Sequence, residues 1–389
     1  MNILICPDKF KGSLTAMEVC ETVRDALVQQ IPNAHCRLHP LADGGDGMLA
    51  ILGEFIALER IQLSVSGPLF EPVQAWYGYH ADSATAYIEM SKASGLVLLE
   101  PAQRNCLETT SLGTGELIAD AIRRGAKKIV LGLGGSATTD GGMGVAAALG
   151  VRFLDSDGAP LSPIGANMLE VVQIDTSARL PELDEVEIAI ASDVQNNFYG
   201  RNGAAEVFGR QKGADEPAVK VLDAGLKNLA SLFHRDLGLE VQPLAGAGAA
   251  GGIGGGAVAL LGARIKSGIG MIANITGLPD AVAWADLVIT GEGRLDDQSL
   301  SGKVIDGVID IAREHHKPVA VVCGGNALSA QELADNHIAY CGELMEFAIS
   351  VEAAMADPRP YLTEVTKLLA SKMIVTPDAG DGLVNFGNL

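Results

Sequence analysis

Three stretches of this chain set ionisable side chains among glycines directly after an apolar run, and a fourth has the same make-up. Pro7-Asp8-Lys9-Phe10-Lys11-Gly12-Ser13 follows residues 2–6, and Gly132-Leu133-Gly134-Gly135-Ser136-Ala137-Thr138-Thr139-Asp140-Gly141-Gly142 follows residues 128–131. Thr290-Gly291-Glu292-Gly293-Arg294-Leu295-Asp296-Asp297 follows residues 286–289, and Ala42-Asp43-Gly44-Gly45-Asp46-Gly47 lies between the first two. Glycine lets backbone N–H groups approach a ligand closely, and such turns at helix starts suit phosphate. Carboxylates beside them suit Mg2+ or a hydroxyl proton. Together they point to phosphoryl transfer.

Each segment also has a plain structural reading. Lys9 and Lys11, with Asp8 and Ser13, either hold an anion at a helix start or belong to an ordinary strand-to-helix turn. Asp43 and Asp46 either serve Mg2+ or a substrate hydroxyl, or simply make a turn; the twelve-residue calcium pattern is missing. Gly134–Gly144, from Gly134, Gly135 and Ser136 through the Thr138 and Thr139 hydroxyls, is the best phosphate or nucleotide cradle by composition, the alternative being tight helix–strand packing. Asp193 ends an apolar run and precedes Gln195-Asn196-Asn197, so it is a proton acceptor or a helix cap. Arg210 and Lys212 either meet phosphoryl oxygens or lie solvated at the surface. Glu292, Asp296 and Asp297, with Ser299 and Ser301, are the densest acids beside glycine, suited to Mg2+ and nucleotide or to capping a helix near Gly302. Gly246, Gly248 and Gly251 fit G-x-G-x-x-G, but no acid occurs between Glu240 and Asp280 to take ribose hydroxyls. A nicotinamide site is therefore not expected there; a nucleotide-facing loop or tight packing is.

Several other chemistries lack their residues. Gly302-Lys303 is followed by Val304, so there is no Walker A loop. The H-R-D and D-F-G segments of protein kinases do not occur together, and neither H-E-x-x-H nor G-x-S-x-G is present. The six cysteines are widely spaced with no C-x-x-C pair, which indicates neither a zinc site nor a disulfide framework.

The 389 residues are 48% hydrophobic, enough for two or three ordinary domains with a large core. A net charge of −20 and only 4% aromatics argue against nucleic acid and anionic membranes as partners. An anionic substrate would need local lysines and arginines set against that field. Residues 241–263 carry no formal charge, but eight glycines and Pro243 interrupt them, unlike a membrane span. No basic leader precedes the first apolar run. The expected location is the cytoplasm.

Strand and helix patterns alternate. Residues 2–6 read as a buried strand, and Thr15-Ala16-Met17-Glu18 is a capping box opening a helix to about Gln30. Helical patterns near 114–124 and 302–315, and strands near 129–133, 186–191, 287–290 and 318–323, continue the alternation. This predicts mainly parallel sheets with right-handed crossovers. Residues 62–65, 73–79 and 85–89 read as strands without helices between them and predict a mixed sheet. The expected fold class is α/β: a Rossmann-like domain from residues 1–60 and 280–389, with an inserted α/β domain over 61–279. The active site is expected in the cleft between them.

Taken together, the segments resemble the type I glycerate kinases. The match rests on residues 7–14, 42–47, 132–142, Ser192-Asp193-Val194-Gln195-Asn196, Phe208-Gly209-Arg210-Gln211-Lys212-Gly213-Ala214, 246–256 and 290–296, in family order across nearly the whole chain. One departure is Phe198 after Asn197, where the family pattern has proline. The resemblance implies an enzyme that uses ATP and Mg2+ to phosphorylate D-glycerate to 2-phosphoglycerate in glyoxylate or sugar-acid breakdown. Within it Asp193 is the expected base, with Lys9 and Lys11 on the glycerate carboxylate or the transferring phosphoryl. Asp8, Ser13, Asp43, Asp46, Arg210 and Lys212 are expected to bind substrate. Gly134, Gly135, Ser136, Glu292 and Arg294 would take nucleotide, and Asp296 the metal. A kinase of another small hydroxy acid and a nucleotide-regulated binding protein without turnover remain the alternatives, and assembly of identical copies stays open.

Overall fold

The computed structural model describes residues 1–300, 302–375 and 384–386; Ser301, read above with the acid cluster, lies outside the described residues. Contacts divide the chain into two units, residues 1–43 with 269 onward and residues 44–268. On sequence alone the boundaries fall near 60 and 280. The first lies earlier because the helix Met48–Phe55 buries Met48, Leu49, Ile51 and Leu52 within the second unit, where Leu49 packs over Gly78.

In chain order the strands are β1 (Asn2–Ile5), β2 (His35–Leu38), β3 (Glu59–Ser66), β4 (Pro72–His80), β5 (Thr85–Glu89), β6 (Lys128–Gly132), β7 (Arg152–Leu154), β8 (Gln173–Asp175), β9 (Glu187–Ala191), β10 (Arg264–Lys266), β11 (Leu287–Leu295), β12 (Val319–Asn326), β13 (Ile338–Glu343), β14 (Met373–Val375) and β15 (Val384–Phe386). The first unit has a five-stranded sheet of order β13-β12-β11-β1-β2, parallel at every pairing. Its central strands β1, β11 and β12 carry unbroken apolar runs because both faces are covered there, whereas the edge strand β2 alternates. Ile3, Ile5, Ile289, Ala320 and Val322 meet the helices Ala16–Gln30 and Arg359–Lys372 through Val19, Val23, Leu27, Leu362 and Leu369. Thr15 caps the first of these helices reciprocally with Glu18, as the sequence predicts.

The second unit holds a six-stranded mixed sheet, β10-β9-β6-β5-β4-β3, in which the β3–β4 and β4–β5 pairings are antiparallel and the others parallel. β7 and β8 form a separate ribbon. The helix Glu216–Leu237 covers this core with Leu222, Leu226, Leu229 and Phe233. Phe198, the departure from the family pattern, is fully buried, with its ring centroid 6.0 Å from that of Phe233. Among the described residues no helix is long and apolar enough to cross a membrane. The charge-free stretch folds instead into the helix Ala249–Leu261, broken at Ala250, Gly251 and Gly252 by a left-handed turn.

Two expected loops are strands. β11 runs on through Gly291 to Leu295 and β12 through Gly324 and Gly325 to Asn326, with Glu292 opposite Cys323 and Arg294 opposite Gly325. Glycine permits this pairing. A Cβ on Gly324 would lie 2.2 Å from the Gly293 carbonyl.

Candidate active site

In the first unit the chain leaves β1 for β2 on one side, while β11 leads to β12 on the other. The strand order therefore reverses between β1 and β11, and ligands of open parallel sheets bind beyond the carboxyl ends at such a point. Asp8 stands at the end of β1, its N–H donating to the Gly291 carbonyl of β11 at 2.8 Å. Residues Phe10 and Lys11 pass over Gly293, with the Lys11 nitrogen 3.5 Å from where a Cβ there would sit. Ser13 donates its hydroxyl to the Phe10 carbonyl at 3.0 Å, closing the turn before the helix. Lys9 is half-buried and Lys11 exposed.

Three acids distant in sequence converge here. Burial pushes the Asp8 carboxyl up to about 7, and the charges of Asp43 and Glu292 add to that rise, against the Lys9 N–H and ammonium. The Lys9 N–H lies 2.7 Å from Asp8 Oδ1. Burial likewise raises Glu292, with Ser299 opposing the rise, and among the described residues its buried Oε1 has no hydrogen-bond partner. An orphaned carboxylate oxygen suits a cation carried with nucleotide phosphates, since Mg2+ takes only one or two protein carboxylates and fills its shell with phosphate and water. Among the described residues no three or more Asp, Glu, His or Cys side chains form a closed metal cage. Asp296, the expected ligand, accepts from Gln298 N–H at 3.0 Å and lies 3.6 Å from Arg294 Nε. Glu292 is the stronger candidate for the cation, with Asp296 beside it.

The second unit gathers another set at the carboxyl ends of β5, β6 and β9. Residues 44–46 lie directly on β6 and β9. A Cβ on Gly134 would be 2.7 Å from Asp46 N, and one on Gly44 2.8 Å from the Ala191 Cβ. This explains the glycines of both segments: the two backbones touch. Asp46 is exposed and accepts from Ser91 Oγ at 3.3 Å. Glu89, which the sequence analysis missed, is 1% exposed. Its Oε1 takes the N–H groups of Gly47 and Leu49 at 3.1 and 2.8 Å, and its Oε2 lies 3.1 Å from Lys92. Its signal in the sequence was position alone, an acid closing a β-branched run as Asp193 does.

The glycine-rich segment divides into two parts. Gly134 and Gly135 are at least partly exposed, whereas residues 136–146 are buried. Asp140 accepts from Ser111 N and Oγ, Gly142 N and Gly144 N at 2.8, 2.7, 3.1 and 3.2 Å. The helix Met143–Ala148 thus has its own carboxylate at its start, where a phosphate was expected. Asp193 Oδ1 accepts from Gly268 N–H at 2.8 Å, at the first residue of the helix Gly268–Thr276. Of its two readings, this contact is the capping one.

Arg210 and Lys212 differ from expectation and from each other. Arg210 is exposed and paired with Glu216 at 2.6 Å. Lys212 is 2% exposed and donates to the Thr138 carbonyl at 2.6 Å, so it is closed to substrate. Gly248 and Gly251 serve packing: a Cβ on either would fall 2.1 Å from the carbonyl of Asn197 or Thr138. A cavity of ≈ 390 Å3 beside β3, lined by Ser66, Phe70, Glu116 and Asp120, holds none of the candidate residues. Its acids are already engaged, Glu116 with Ser66 and Asp120 with Tyr77 and Arg124.

A model of the glycerate kinase family matches residues 3–374. A glycerate kinase of Halalkalibacterium halodurans is 39% identical over 369 residues, covering 95% of this chain and 97% of its own. The glycerate 2-kinase of Escherichia coli K12 is 42% identical over 325 residues, 83% of this chain and 85% of that one. A crystal structure from Salmonella typhimurium LT2, described as glycerate kinase 2, matches with a TM-score of 0.78 at 39% identity, covering 95% of this chain and 98% of that one.

Proposed function

Because the chain belongs to the glycerate kinase family, we propose that it transfers the γ-phosphoryl group of ATP to D-glycerate, giving 2-phosphoglycerate for glyoxylate or sugar-acid breakdown in the cytoplasm. The supporting observation is the convergence of Asp8, Asp43 and Glu292 with Lys9 and Lys11 at the reversal point of the five-stranded sheet. Such transfer needs positioning and charge neutralisation more than covalent chemistry.

Asp8 takes the proton of the acceptor hydroxyl, whose oxygen bonds to the γ-phosphorus as the bond to ADP breaks. Its raised pKa matches this task, since a base works best when poised near the operating pH. Lys9 and Lys11 hold the glycerate carboxylate and the transferring phosphoryl. Glu292, with Asp296, would hold Mg2+, which when bound neutralises phosphate charge; Arg294 faces the nucleotide phosphates. Gly134, Gly135 and Ser136 offer backbone N–H groups to nucleotide, and Asp46, an exposed carboxylate, takes a substrate hydroxyl. Asp193 anchors a helix start.

The test is a coupled ADP assay with Mg2+ over D-glycerate, L-glycerate, glycerol and other small hydroxy acids, with phosphorus NMR of the product. Turnover is expected with D-glycerate and far less with the others; ADP release indifferent to glycerate sinks the proposal. For Asp193→Asn, which keeps an oxygen to accept Gly268 N–H, kcat is expected to stay within about tenfold of wild type. A loss of a hundredfold or more in that variant, with unchanged circular dichroism, would return the base to Asp193.

A further inference from the structure

Lys212 presents a problem of cost. An ammonium buried to 2% exposure is expensive unless something compensates it, and a neutral donor could hold a carbonyl for less. The titratable groups facing it are Cys106, a thiol that burial keeps protonated, and Asp140. Cys106 directs its thiol to the Gly209 carbonyl at 3.7 Å, and Asp140 is fully buried among its four donors. Among the described residues the one acceptor it meets is the Thr138 carbonyl, at 2.6 Å, two residues beyond Ser136.

That carbonyl is part of a fixed backbone path. Ala137 N–H donates to the Ser94 carbonyl at 2.9 Å, and Thr109 Oγ1 donates to the Ala137 carbonyl at 3.0 Å. Gly141 N–H donates to the Gly251 carbonyl at 3.0 Å, and Gly251, with φ +71°, lies flush against Thr138. The backbone is thus held at Ala137, Thr138 and Gly141, and the ammonium supplies the hold at Thr138, three residues beyond the exposed Gly135.

We propose that Lys212 is a positioning residue for phosphoryl transfer, its buried ammonium clamping the Thr138 carbonyl and so setting the path of residues 134–136 toward the nucleotide. This rests on the assignment of those residues to nucleotide under the proposed function. Burial lowers the lysine from its usual 10.5 to about 8, with Cys106 and Asp140 opposing the fall. The clamp therefore weakens as pH rises through about 8. Stability moves the other way. A lysine whose folded pKa lies below its unfolded one costs the folded state most at low pH, and that cost fades between about 8 and 10.5. Weaker nucleotide handling above pH 8 without a lower melting temperature is what separates a positioning role from a merely structural one.

The experiment compares wild type, Lys212→Met and Lys212→Arg. Steady-state kinetics with ATP and D-glycerate varied separately from pH 6.5 to 9.5 run beside thermal melts and calorimetric titration with MgADP. For Lys212→Met, a KM for ATP at least tenfold higher, a KM for glycerate within twofold, and correspondingly weaker MgADP binding are expected. Wild-type kcat/KM for ATP is expected to fall above pH 8. Lys212→Arg, whose guanidinium stays charged, should lack that fall. A folded Lys212→Met with wild-type KM for ATP and wild-type MgADP affinity overturns the proposal. Where Lys212→Met does not fold, an alkaline fall in Lys212→Arg identical to wild type overturns it. Absence of glycerate-dependent turnover in wild type, with MgADP binding still weakened in Lys212→Met, defeats the proposed substrate and leaves the clamp standing.

Discussion

Asp8→Asn is expected to lower kcat by about two to four orders of magnitude, the usual scale for loss of a general base, while making the metal-free protein more resistant to unfolding at pH 8. The two effects share one cause. Asp8 is half-buried beside Asp43 and Glu292, and its folded-state pKa of about 7 lies above the ordinary 3.8. A carboxyl raised in this way favours the folded state only while protonated. That contribution is complete below pH ~4 and is lost as pH rises through about 7. Above pH 7 the ionised group opposes folding, by at most about 4 kcal/mol for a shift of this size. Asparagine keeps the shape and one acceptor for the Lys9 N–H but carries no charge. The checks are kcat by ADP release and the urea midpoint with chelator present at pH 8. A variant that is both active and no more stable would show Asp8 to be an ordinary turn residue.

Lys9→Ala and Lys11→Ala are each expected to reduce kcat/KM for glycerate by roughly 10- to 150-fold, equivalent to about 1.5–3 kcal/mol for one charge-assisted contact. Both side chains leave the turn between β1 and the helix Ala16–Gln30. The N–H of Glu18 in that helix is already satisfied by Thr15, and Glu18 itself pairs with Arg359. The anion must therefore be met mainly by the lysines rather than by the helix end. The fold loses little, because Lys11 is exposed and Phe10, at 2% exposure, anchors the turn. Steady-state kinetics beside thermal melts decides it. Early melting with unimpaired kcat/KM at low temperature would make the lysines structural.

Local signals in the sequence were read well. The Thr15–Glu18 box and the three strands without intervening helices depend on residues within a few positions of each other. What the sequence could not display is contact at long range. Nothing near Asp8 announces Asp43 or Glu292 as neighbours, since sheet order, not spacing, joins them. Lys212 and Arg210 look alike in one short basic segment, yet one is buried against Thr138 and the other pairs with Glu216 at the surface. Asp140 sat in plain view within the glycine-rich segment. Its role appears only when Ser111, 29 positions earlier, turns its N–H and hydroxyl toward it.

The continuation of β11 through Leu295 has a consequence for how a ligand is met. Glu292 and Arg294 sit two apart on a strand paired in register with β12, so both side chains emerge on one face, about 7 Å apart along the pleat. Neither can advance without the other, and the spacing between acid and base is as fixed as teeth on a comb. The ordering that a mobile loop would undergo at binding has here been completed during folding. Selection among ligands at this edge then works by length: a molecule whose charges do not match the tooth spacing finds no relaxed conformation of the strand to accommodate it. A single residue inserted just before Gly291 would turn the comb over, presenting Gly291 and Gly293 where the charges had been.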